Sequence, residues 1–404
     1  MSCTYKLLKG VRILDLTRVL AGPYSTMLMG DLGAEVLKIE DPQSGDVTRS
    51  WGPPFVGDQS AYYLSINRNK KSLAIILKSK EGIDIIKKLA EKSDVVIENF
   101  LPGKLESLGI GYESLKSLND KLIYCSITGY GSSGPYANRG GYDVIASSIA
   151  GLNHITGPED GDPCRVGVAM TDLTTGLLAK SSILAALYSR DKTGKGSKID
   201  CNLISTQISA LSHIASNYLN CGIDGKRWGT GHPSIVPYQA FKTKDGRFLT
   251  VGAGTDKHFD VLCKKLDLTE LPADKLYKTN VDRVKNRKKL LAILKQRFET
   301  KTCEEWLQAF EGCTFPYGPI NNIEGAFSDP QVQHNDMVIE MKHRASERTV
   351  KAAGHPVVYS ENKSDCENLH PPTLGEHTHS VLSELLQMSD KEIDYLSEIG
   401  VIKC

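Results

Sequence analysis

The sequence predicts an α/β fold with a mostly parallel sheet covered on both faces, and three observations carry that reading. Short strand-like runs occur at 11–17, 34–40, 72–77, 94–97 and 122–128. Helical segments alternate with them, as at 81–92, where Ile83, Ile86 and Leu89 recur at helical spacing. The 404 residues suit two or three domains, or one large body with an appendage.

In chain order, VRILDLT at 11–17 is a buried strand. Gly22-Pro23 opens a helix through Met29, and Gly30 and Gly33 bracket its end. AEVLKIE at 34–40 is the second strand, 72–77 the third, DVVI at 94–97 the fourth and 122–128 the fifth. Ligands of such sheets bind beyond the carboxyl ends of the strands, here in loops 18–23, 40–49, 98–103 and 129–134. From Asp172 the pattern changes to one long apolar helix over 172–188, ended by the charged, glycine-containing stretch 190–196. A further helix is expected over 203–219, and the polar stretch 222–231 is a candidate linker. YQAFKT and RFLTVGA flank Asp245-Gly246, a strong hairpin signal within 237–254. Helices at 256–265, 283–298 and 303–310 follow, then a strand near 352–359 and helices at 376–387 and 390–398. A separate small α+β unit across roughly 225–320 fits this order.

Composition narrows the function. Lys+Arg is 49 and Asp+Glu is 48, a net charge of +1, which argues against a general nucleic-acid binder. A local basic patch for a small anionic ligand remains compatible with that balance. The ten cysteines include no CxxC pair, which argues against a disulfide scaffold or a zinc site and for thiols in a reducing compartment. No apolar run reaches the ~18–20 residues that span a bilayer. The first residues carry neither a signal-peptide core nor an Arg/Ser-rich presequence, so the expected setting is the cytosol unless a targeting segment lies outside this chain.

Three motifs bear on chemistry. Gly129, Gly131 and Gly134 match G-x-G-x-x-G, but Pro135, Tyr136 and Arg139-Gly140-Gly141 follow where a helix should open. The segment reads as an extended glycine loop rather than a dinucleotide site. Asp172 stands at the start of the long helix, where it is either an N-cap or a nucleophile. A carboxylate at a helix N-terminus is expected to stay ionised at neutral pH, which serves both readings. Basic residues gather near the ligand edge: Arg18, Lys38, Arg49, Arg68, Lys70, Lys71, Lys78, Lys104 and Arg139. Such residues suit a phosphorylated ligand, and Asn99-Phe100-Leu101-Pro102-Gly103 adds an amide, an aromatic face and a tight turn.

Ordered stretches then carry a resemblance: LLKGVRILDLTRVLAGP at 7–23, GDLGAEVLKIEDPQSGD at 30–46, DVVIENFLPG at 94–103, SITGYGSSGP at 126–135, GVAMTDLTTG at 167–176 and LGEHT at 374–378. The chain resembles the family III CoA-transferases. The resemblance implies a Rossmann-like large domain of mostly parallel sheet, made from residues 1–224 and a return segment 326–404, with a small α+β domain at 225–325 between them. It implies an interlocked homodimer and a mitochondrial matrix setting. It implies no permanently bound cofactor and no metal, with a coenzyme A thioester as substrate. CoA would pass from a dicarboxylyl-CoA such as succinyl-CoA to a free dicarboxylic acid such as glutarate.

The family's nucleophile maps onto Asp172, and its CoA contacts onto Val19, Leu20, Ala21, Ile75, Lys78, Asn99, Phe100 and Leu101. Basic positions of the family are Asp41, Ser107 and Gly140 here, with Lys104 and Arg139 as neighbours able to substitute. Candidates for the acid substrate are Arg18, Tyr142, Arg165 and His232, and glycine loops at 129–134 or 229–231 are candidate oxyanion donors. An acyl-CoA racemase or epimerase of the same fold is the alternative. Racemases use a His-Asp pair where this chain has Tyr142-Asp143, and tyrosine is poorly matched to proton abstraction at neutral pH.

Overall fold

The computed structural model of the protein describes residues 3–342, 349–361 and 363–404. Its central sheet has seven strands: β1 (Arg12–Asp15), β2 (Glu35–Glu40), β3 (Lys70–Ile75), β4 (Val95–Glu98), β5 (Ile123–Thr128), β6 (Ser197–Asn202) and β7 (Ile402–Lys403). The spatial order is β7-β3-β2-β1-β4-β5-β6, and every neighbouring pair is parallel except β7 against β3. The chain enters the sheet at its middle, winds outward to β3, then returns to β4 on the other side of β1. That reversal between β1 and β4 parts the loops that follow them and opens a crevice at the carboxyl ends.

The inner strands are apolar because both faces are covered. Leu14, Leu37, Leu73 and Val96 are buried on one face, against Ile86, Leu89 and the late residues Leu382 and Leu396. Ile13, Val36, Val95 and Ile123 are buried on the other, against Ala179 and Ile183. These last two belong to α3 (Met170–Thr193), which follows α1 (Ala21–Asp31) and α2 (Asp143–Ile149) in the chain. No helix among the described residues is long and apolar enough to cross a membrane.

Several expectations need correction. The edge strand β6 escaped the sequence reading because Lys198, Asp200 and Asn202 alternate with half-buried residues just after a charged turn. β3 begins at Lys70 rather than 72, since its two lysines are strand residues and Lys70 is buried. The helix expected over 203–219 is two helices, α4 (Leu203–Ala210) and α5 (His213–Cys221), parted where Ser212 takes φ +51°. The helix expected over 283–298 likewise divides into Asn280–Lys285 and Arg287–Phe298. A helix at Ala61–Ile66, capped by the Ser60 side chain accepting from Tyr62 N–H, was not read at all.

The chain divides into two compact units. The large one comprises 1–152, 166–223 and 330–404; the small one comprises 153–165 and 224–329, so it also takes a short segment that sequence reading assigned to the large domain. In the small unit the expected hairpin pairs Tyr238–Lys242 with Phe248–Gly252, and Tyr317–Pro319 adds a third antiparallel strand. Its core is aromatic, with Phe241 stacked on Phe298 at 4.4 Å and Trp306, Phe310 and Phe315 beside them.

Candidate active site

A cavity of about 580 Å³ opens in the large unit at the carboxyl ends of β1, β4 and β5. Three loops and the first turn of α3 build most of it, with Val47 after β2 and Leu203 at the start of α4 completing the wall. The loop after β1 contributes Arg18, Val19, Leu20 and Ala21, and the loop after β4 contributes Asn99, Phe100, Leu101 and Lys104. The glycine loop after β5 contributes Gly129, Arg139, Gly141 and Tyr142, and the first turn of α3 contributes Asp172. As the fingerprint analysis expected, no helix opens in the glycine loop until Asp143.

The first two loops are latched together. Arg18 N–H donates to Asn99 Oδ1 at 3.0 Å, and Asn99 Nδ2 donates back to the Arg18 carbonyl at 2.7 Å. The Arg18 guanidinium lies over the Phe100 ring at 4.9 Å, and Phe100 N–H donates to Glu98 Oε2 at 2.8 Å. The Asn99 amide is therefore engaged in joining the loops. Burial pushes the Glu98 carboxyl up to about 7, against bonds from Ser126 and Phe100 that favour its charge.

Close backbone approach places the other two parts. Gly129 and Gly141 meet so tightly that a Cβ on Gly129 would lie 2.7 Å from the Gly141 Cα, folding the glycine loop over β5. In α3, a Cβ on Gly176 would lie 2.5 Å from the Ala21 carbonyl oxygen, so glycine there lets α3 settle onto α1. Asp172, one turn earlier, thereby faces the same cavity as Val19–Ala21.

Asp172 is not the N-cap of its helix. Ala169 holds that position, and Asp143 of α2 supplies the capping carboxylate, its Oδ2 accepting from Thr171 N–H at 2.8 Å and Asp172 N–H at 3.2 Å. Among the described residues no hydrogen bond reaches the Asp172 side chain, so its carboxylate is left for chemistry. Nor is it held ionised, as sequence reasoning expected: burial, and then the Asp143 charge, push it up to about 7. The helix N-terminus is already satisfied by another carboxylate, and water is partly excluded. Tyr62 stands near enough for the same carboxylates, after burial, to raise its phenol to about 12.

Eleven of the sequence-derived candidates share this cavity: Asp172, Arg18, Val19, Leu20, Ala21, Asn99, Phe100, Leu101, Lys104, Arg139 and Tyr142. Tyr142 is 60% exposed. Ile75 and Lys78 do not line it; Ile75 is wholly buried, with its side chain inside the core and no surface for a ligand. Arg165 and His232 belong to the small unit, where Ser234 N–H donates to His232 Nδ1 at 3.1 Å.

The basic cluster also resolves. Arg18, Lys104 and Arg139 line the cavity, Arg139 with its guanidinium 4.0 Å over the Tyr136 ring. Lys38, Lys70, Arg49 and Arg68 are instead paired internally with Asp46, Asp15, Glu40 and Asp31. Sequence reading gave Tyr62 and Glu98 no role, and it placed Asp143 only beside Tyr142, not as the cap of α3. Asp143 carried one usable signal: it opens a helix directly after Tyr142.

Comparison with known proteins agrees with this architecture. Residues 8–378 match the sequence profile of CoA-transferase family III. A human protein named succinyl-CoA:glutarate CoA-transferase is 55% identical over 397 residues, covering 98% of this chain and 90% of that protein. The succinate–glutarate CoA-transferase of Agrobacterium fabrum is 41% identical over 385 residues, covering 94% of this chain and 95% of its own. The crystal structure of a CAIB/BAIF family protein from Brucella suis superposes with a TM-score of 0.85 at 38% identity, covering 95% of this chain and all of that one.

Proposed function

The chain belongs to CoA-transferase family III, and we propose that it moves CoA from succinyl-CoA to glutarate through Asp172. The observation that carries the proposal is the meeting, in one cavity, of an unbonded carboxylate at Asp172 with the cations Arg18, Lys104 and Arg139. The cations and the Phe100 ring suit the nucleotide end of CoA, and the carboxylate suits its thioester.

The course balances without ATP, since thioester and carboxylate exchange at nearly equal energy. Ionised Asp172 attacks the succinyl-CoA carbonyl carbon; a C–O bond forms, the C–S bond breaks, and CoA thiolate departs from an aspartyl–succinyl anhydride. The thiolate then attacks the aspartyl carbonyl, releasing succinate and leaving CoA on Asp172 as a thioester. Glutarate attacks that thioester, and the returning thiolate takes the glutaryl group from the new anhydride. Each tetrahedral intermediate needs oxyanion donors, and backbone N–H groups of the glycine loop beside Asp172 are the candidates within the cavity.

A homodimer accompanies this reading. α5 has no buried residue, and Tyr218 is 60% and Leu219 78% exposed, an apolar surface that calls for a covering partner. The same reading includes a mitochondrial matrix setting, which fractionation of the source cells tests. For the chemistry, the enzyme is incubated with succinyl-CoA, then quenched with hydroxylamine or borohydride and analysed by mass spectrometry. Modification at Asp172 is the expected result; full activity without any modified Asp172 would sink the mechanism.

A further inference from the structure

Val19 stands in the left-handed backbone region at φ +72°, although its side chain is β-branched. A β-branched residue takes that conformation only where its surroundings impose it. Here the grip comes from both sides. Asn99 holds the backbone of Arg18 through its paired amide bonds. Behind Val19, its N–H donates to Asp46 Oδ1 at 3.3 Å. The other oxygen of Asp46 accepts from Lys38 Nζ at 2.9 Å, and the same Nζ donates to the Thr17 carbonyl at 2.9 Å.

Neither side chain of the Lys38–Asp46 pair touches water, and neither residue lines the cavity. Asp46 is itself locked, for Thr48 N–H and Oγ1 donate to its Oδ1 and its own N–H donates to Glu40 Oε1. Glu40 in turn takes two bonds from Arg49. A buried ion pair is weak evidence for stability, because apolar residues of similar volume often serve as well. What an apolar pair could not do is accept the Val19 N–H and grip the Thr17 carbonyl in the same turn.

We propose that Lys38 and Asp46 are positioning residues that hold the Val19 turn in its strained form, so that Arg18 and Leu20 are presented to CoA in a fixed arrangement. The proposal rests on the reading that this loop receives CoA. The pair never meets the substrate; it acts on the donor thioester through Val19, and the acid substrate is indifferent to it.

Steady-state kinetics of purified variants test it. Asp46→Ser, which no longer reaches both partners, is expected to raise KM for succinyl-CoA about tenfold with KM for glutarate and kcat within about twofold. Asp46→Asn, which keeps an oxygen for the Val19 N–H, is expected to recover part of that loss. Val19→Gly takes the left-handed conformation freely but loosens the turn, and is expected to raise the same KM about threefold. In the Val19→Gly background, Asp46→Ser should then cost less than it does alone, because the two act on one element.

Arg139→Ala separates this proposal from its premise. If Arg139→Ala raises the succinyl-CoA KM while folded Asp46→Ser leaves it unchanged, the clamp is overturned and the CoA site stands. If neither substitution moves that KM, both fall. Should Asp46→Ser fail to fold, Asp46→Asn and Val19→Gly decide, and an unchanged succinyl-CoA KM in both overturns the clamp.

Discussion

In the small unit, Phe241, Phe298, Trp306, Phe310 and Phe315 fill the interior, and the one buried cation, Arg283, is met by the carbonyls of Val236, Tyr277 and Gly254 and by the exposed carboxylate of Asp256 at 2.9 Å. Beneath the cavity of the large unit the interior is ionic: Lys70 Nζ reaches Asp15, the Pro23 carbonyl and Asn67, while Lys38, Asp46, Glu40 and Arg49 form a second set. An aromatic core gains its stability from area and packing. Buried charges give little of that, and desolvation is costly. They do fix loop carbonyls and N–H groups at stated points, which an apolar core cannot. Apolar packing stabilises both units, and the large unit adds buried charges that hold the loops of a site.

Two substitutions break that contrast in opposite ways. Asp172→Ala is expected to lower kcat by about 10⁴-fold or more, as loss of a covalent nucleophile does, with no fall in the thermal midpoint. The midpoint at pH 8 should hold or rise. An acid raised from the ordinary carboxylate range to about 7 costs the fold nothing below pH 4, and its cost grows as pH climbs from 4 to 7. A large drop in stability with activity kept would invert the assignment. Phe298→Ala, in the centre of the aromatic stack, is expected to cost about 3–5 kcal/mol in denaturant unfolding while turnover per folded molecule is kept. Turnover that falls further than the folded fraction would place catalytic work in that core.

The parallel sheet was legible because its strands are apolar on both faces, and Ile13, Leu37 and Val96 need no tertiary information to be read. The site loops were legible because they follow those strands. Lys38 and Lys70 were not, since a lysine looks the same in sequence whether solvated or paired with a carboxylate eight or 55 residues away. Asp172 was legible as a carboxylate at a helix start. Its raised pKa was not, because the capping role passes to Asp143, 29 residues earlier, and because the cavity it faces is built with residues 18–21 and the glycine loop, far from it in the chain. Ile75 shows the reverse case: a position that the family resemblance carries over, yet one that lies wholly inside the core.

The smallest expected effect is also the most specific to the site. With Asp172 near 7, its reactive, ionised form rises as pH rises, so kcat/KM for succinyl-CoA should climb about tenfold per unit below pH 7 and level off above it. Two causes raise the group, burial first and the Asp143 charge second. Asp143→Asn removes only the second, and its remaining oxygen still accepts from Thr171 N–H, so α3 keeps a cap. The acid limb should then move to lower pH without reaching the ordinary carboxylate range, because burial persists. At pH 6 that shift would raise the ionised fraction by a factor of roughly 2–5 for a change of a fraction of a unit. A limb that stays in place would show that Asp143 acts on Asp172 through position alone, and a limb that moves upward would mean that Asp143 stabilises the ionised nucleophile.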